Sequence, residues 1–109
     1  MGNTLQSLGG NNMAITKTTE VDKIEVVGQH KAVQVRTATI IKEDGTELTR
    51  SFRRHVLHPG TLDASNNLVD TDISAEDADV KAIATAVWSD AVKTAWKNKL
   101  IADKSGPGA

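Results

Sequence analysis

The chain has 109 residues, 39% of them apolar and 25% charged, with a formal net charge of -1. That composition describes one ordinary soluble domain, excludes a second full one, and gives no overall positive field to attract nucleic acid or an anionic membrane surface. The absence of cysteine excludes disulfides, thiolate catalysis and cysteine-ligated metals.

Residues 1–14, MGNTLQSLGGNNMA, pair Gly9-Gly10 with Asn11-Asn12 and show no sustained periodicity, so they are expected to form a flexible arm. Met13 offers a second candidate for the natural start beside Met1. The opening approaches a myristoylation signal, but Gln6 stands where Ser or Thr is required and Ser7 falls one place late. A basic stretch followed by an apolar one is missing at the start, and nothing approaches the roughly 20 apolar residues that cross a bilayer. The expected organisation is the arm, a single α+β domain over 15–101, and a flexible tail over 102–109, where Gly106, Pro107 and Gly108 cannot continue a helix.

Within the domain, Asp44-Gly45 between two alternating runs calls for a two-residue hairpin turn with both residues at positive φ. Pairing Glu43 with Thr46 sets Ile41 against Leu48, Thr37 against Phe52, Val35 against Arg54 and Val33 against Val56, all on one largely apolar face. The run DKIEVV ends at Gly28, and a tight Gln29-His30 turn brings Val26 opposite Val33. Three strands that agree on one apolar face predict an antiparallel β-meander. Arg50 and Arg54 fall on that same face, which requires their stems to reach past its edge or their heads to pair with acids such as Asp79 or Asp90.

The stretch TLDASNNLVDTD after Pro59-Gly60 reads as a polar loop. Ser74 with Asp77 resembles a capping box, and Val80, Ile83, Ala84, Val87, Ala91 and Ala95 then follow one helical stripe suited to cover the meander. Trp88, Val92 and Trp96 drift off that stripe. A break near Ser89, which can cap a second short helix starting at Asp90, is the preferred explanation.

Two surfaces are candidates for function. On the sheet face away from the helix, Lys23, Arg36 and Arg53 form a cationic row that would welcome an anionic partner. Trp88, Val92 and Trp96 are candidate interface anchors, because tryptophan is enriched where partners bury a central patch; core packing is the competing explanation. Nucleic acid is not an expected partner, since one Phe and no Tyr leave no stacking surface on the strands. His55 and His58, three apart on a strand, point to opposite faces, and Asp63, Asp70 and Asp72 lack EF-hand spacing, so neither set predicts a metal. Without a nucleophile elbow, a P-loop, a dinucleotide fingerprint or H-E-x-x-H, the expectation is a non-enzymatic protein with no cofactor.

At MAITKTTEVDKIEVVGQHKAVQVRTATIIKEDG, SFRRHVLHPG and AIATAVWSDAVKTAW, over about residues 13–98, the chain resembles small uncharacterised proteins of tailed bacteriophages, especially those of marine and cyanobacterial hosts. The resemblance implies a virion or accessory protein assembled in the host cytoplasm. Its expected partners are other virion proteins or further copies of itself, on a capsid, neck, tail or fibre surface. The alternative is a host-directed or regulatory module that grips an anionic partner through the cationic row.

Overall fold

The computed structural model describes residues 4–8 and 13–105. Along the chain run β1 (Thr4–Leu8), β2 (Met13–Val27), β3 (Ala32–Glu43), β4 (Thr46–Leu57), β5 (Gly60–Leu62), β6 (Leu68–Asp70), α1 (Ala78–Val87) and α2 (Asp90–Ser105). The first four strands form one sheet in the order β1-β2-β3-β4, and β5 pairs with β6 in a separate hairpin. The expected antiparallel meander is β2, β3 and β4, and the fold is α+β.

Residues 4–8, read from sequence as part of an arm, are the strand β1, paired antiparallel with the start of β2 from Thr4↔Lys17 to Leu8↔Met13. The rest of that stretch up to residue 12 lies outside the described residues. At the other end the helix runs on to Ser105, because nothing before Gly106 breaks it; residues 106–109 lie outside the described residues.

Both meander turns form where the sequence placed them. Asp44 and Gly45 take φ of 50° and 86°, the left-handed pair a two-residue hairpin turn demands. Asp44 also holds the start of β2, since Ala14 N–H donates to its Oδ1 at 3.2 Å while its own N–H donates to the Ala14 carbonyl at 2.9 Å. The turn around Gln29 and His30 is closed by Lys31 N–H donating to the Gly28 carbonyl, with Gly28 and Lys31 both at positive φ.

The chain divides into two compact units, one holding Val35–His55 with the chain up to Lys23, the other holding Ile24–Gln34 with the chain from Val56 onward. In the first, Val35, Ala38 and Ile40 are buried. In the second, Val33, Pro59, Val80, Ala84 and Trp88 are. Along β3 the buried positions therefore run 33, 35 and then 38, 40, so no single alternation describes the strand. The sequence reading, with one odd-numbered apolar face throughout, holds only for its first part. Thr37 and Thr39 are half-buried, and Ala38 and Ile40 take the interior positions.

In the second unit the helix breaks as expected. α1 ends at Val87, Trp88 N–H donates to the Ala84 carbonyl, and Ser89 Oγ accepts from Val92 N–H at 3.2 Å at the head of α2. The capping box is displaced: Asp77, not Ser74, caps α1, its carboxylate accepting from Asp79 N–H at 2.9 Å, while Ser74 N–H turns to the Asp72 carboxylate. The supposed loop contains the β5–β6 hairpin. Asp63 Oδ1 organises its tip by accepting from Ser65 N–H at 2.8 Å and Asn67 N–H at 2.9 Å, with Asn66 at a φ of 62°.

Candidate functional site

Tryptophan placement follows from the helix break. In α2 the half-buried positions are Val92, Lys93, Trp96, Lys97, Leu100 and Ile101, whereas Ala91 and Ala95 are exposed. The break rephases the helix, so the residues that drifted off the first stripe are those that pack inward. Trp88 is 7% exposed, and its indole N–H donates to the Lys31 carbonyl at 2.8 Å. Trp96 N–H donates to the Gly60 carbonyl at 2.8 Å, and its ring stacks on His58 at 4.9 Å with His30 tilted against it at 5.4 Å. Trp88 is thus a core residue and not an interface anchor, while Trp96 and Val92 are half-buried, the Trp96 indole bonded within its own unit. Trp96 also borders an apolar cavity of about 380 Å³ with Val56, Leu57, Leu62 and Leu100.

The cationic row is also rearranged. Arg36 makes a two-pronged pair with Asp22, at 2.9 and 3.0 Å, and its guanidinium lies 4.3 Å from the centre of the Phe52 ring. Hydrogen bonding to that guanidinium holds the Asp22 carboxyl below the ordinary aspartate range. Arg36 therefore shares a face with Phe52 and is committed to an acid. Arg53 lines a recess with Lys17, Thr19, Thr37, Thr39 and His55. The two-residue turn alone pairs residues of unlike parity on β3 and β4, yet here Arg36 lies over Phe52, and Thr37 lines one recess with Arg53. An uninterrupted ladder extrapolated from the turn gives the wrong face.

Lys23, the third member of the row, is exposed and belongs to the same unit. Arg50, expected to reach Asp79 or Asp90, instead pairs through two hydrogen bonds with Glu47 on its own strand, at 2.9 and 3.1 Å. That contact pulls the Glu47 carboxyl below its usual range. The acids weighed as calcium ligands are occupied separately: Asp63 and Asp72 by backbone N–H groups, and Asp70 by Lys93 at 3.2 Å. Hydrogen bonds from Asn67 and Ser65 hold Asp63 below the ordinary range, and those from Ser74 do the same for Asp72.

The least covered element among the described residues is β4. It is the last strand in the sheet order, and among the described residues no strand pairs with its outer side. Every position from Thr46 to Val56 is exposed, including Leu48 at 55% and Phe52 at 45%. An open edge carrying large apolar side chains is a template for pairing with another chain. The signal was present in the sequence: two arginines interleaved with the apolar residues of one strand face are poor core material and good rim material.

Comparison with known protein families, curated proteins and solved structures finds no match to this chain.

Proposed function

We propose that this protein is a non-enzymatic assembly module that associates with copies of itself through the open β4 edge, in the setting of a bacteriophage virion that the sequence resemblance implies. The observation that carries the reading is the exposure of Leu48 and Phe52 on a strand with no outer neighbour among the described residues. Covering the exposed half of each ring or chain is worth about 1 kcal/mol per residue, so four such side chains across a two-fold contact supply roughly 4 kcal/mol. Association itself costs at least that much. The apolar pairs therefore fix where the edges meet, and the added backbone ladder supplies the remaining affinity.

Light scattering after size exclusion of the full chain, at low and high salt, tests the proposal. The expected result is a closed oligomer that survives high salt, reduced to monomer by Leu48→Lys and by Phe52→Lys with the far-ultraviolet circular dichroism of the parent retained. Leu48→Lys leaves the Arg36–Phe52 contact in place and so separates loss of the interface from loss of that contact. A monomer at both salts and at all concentrations up to about 100 μM, where a micromolar interface is saturated, overturns the reading.

A further inference from the structure

Within the unit that holds Val35–His55, Lys17 and Thr19 of β2, Thr37 and Thr39 of β3, and Arg53 and His55 of β4 together line a recess of about 470 Å³. β3 lies between the other two strands, so its half-buried threonines form a hydroxyl floor flanked by a lysine on one side and an arginine on the other. The lining contains two permanent cations, three hydroxyls and one imidazole, and none of its side chains is a carboxylate or an aromatic hydrocarbon ring.

We propose that this recess binds a small phosphate monoester with a polar, non-aromatic body. An arginine presents a planar fork that matches two phosphate oxygens, and a lysine adds a mobile point charge for the third. Threonine hydroxyls donate to the remaining oxygens and accept from hydroxyls of the ester body. The volume lies within the range of small-molecule sites and exceeds what a bare phosphate fills. A nucleobase gains little here, because it needs a ring or apolar wall to stack on. The site shares β4 with the self-association edge, but none of its side chains belongs to the apolar pair there.

Amide chemical-shift titration of the full-length ¹⁵N-labelled chain with ribose 5-phosphate, at fixed ionic strength, tests the proposal. Shifts at Lys17, Thr37, Thr39 and Arg53 are expected to saturate together, with a dissociation constant on the order of 1 mM or tighter. Ribose alone should leave them unmoved, inorganic phosphate should bind more weakly, and adenosine monophosphate should gain nothing over ribose 5-phosphate. Arg53→Met is expected to weaken binding about tenfold, while Arg54→Met, the next residue on the same strand, leaves it within about twofold. Shifts that fail to saturate, or equal losses in the two arginine variants, mean diffuse surface charge and overturn the site. Phosphate binding as tightly as the ester overturns the assignment of an organic body, and adenosine monophosphate binding about tenfold tighter overturns its non-aromatic character.

Discussion

Replacing Trp88 by Phe separates what the indole does from what any ring would do. The side chain is 7% exposed and its N–H reaches the Lys31 carbonyl at 2.8 Å. Losing that hydrogen bond costs about 1 kcal/mol net, and the atoms missing from the smaller ring leave a void worth about 2 kcal/mol more. The sum, about 3 kcal/mol, is a large share of the stability of a domain this size. Trp96→Phe removes the same atoms and an equivalent bond to Gly60. Because Trp96 is half-exposed, water can re-enter and solvate the freed carbonyl, and the expected cost is about 1 kcal/mol. Equilibrium urea unfolding followed by far-ultraviolet circular dichroism measures both, at one protein concentration so that self-association does not enter the comparison. Equal costs for the two substitutions, or less than about 1 kcal/mol for Trp88→Phe, would refute the assignment of Trp88 as core and Trp96 as margin.

Gly60→Ala places a methyl 2.6 Å from the Val69 carbonyl oxygen and 3.0 Å from Leu68 Cγ; because the nearer obstacle is backbone, thermal unfolding should show a loss of about 2 kcal/mol. Asp77→Ala removes the carboxylate that caps α1 and should lower stability by about 1 kcal/mol in the same assay. Asp22 titrates below its unfolded value because Arg36 holds it charged, so between the two values the unfolded chain binds more protons and stability rises with pH. That contribution is complete above the unfolded value and lost as pH falls through the folded one. Carboxyl carbon shifts should show Asp22 titrating low in the parent and moving up in Arg36→Met; an unchanged midpoint would exclude the pair as the cause.

Sequence legibility followed the range of the interactions involved. Asp44-Gly45, Gln29-His30 and Ser89 were readable because a turn or a cap depends on a few neighbouring residues and on allowed φ. The face of each strand was not, because alternation was carried outward from a turn through a ladder that does not keep one parity; Arg36 against Phe52 lies where that extrapolation had placed Arg53. For Trp88, Val92 and Trp96 the break near Ser89 was legible but its phase was not, because how far a break rotates the second helix depends on what α2 packs against and not on the residues at the break. β1 escaped notice because TLQSL is short and its partner strand, not its own pattern, makes it a strand. The Lys17–Arg53 recess joins residues far apart in the chain, on strands whose facing depends on the same parity.

The change of parity in β3 bears on how this chain can evolve. A strand with one apolar side tolerates exchange at every second position, whereas here the interior sites are Val33 and Val35, then Ala38 and Ile40. Deleting one residue between Val35 and Ala38 would put all four in step, giving a strand that looks better by pattern alone and fits this protein worse. Substitutions at the exposed Gln34 are ordinary steps for a lineage, but single-codon insertions and deletions near Arg36 and Thr37 amount to a change of reading phase for the central strand. Such indels should therefore be purged while point changes on either side accumulate.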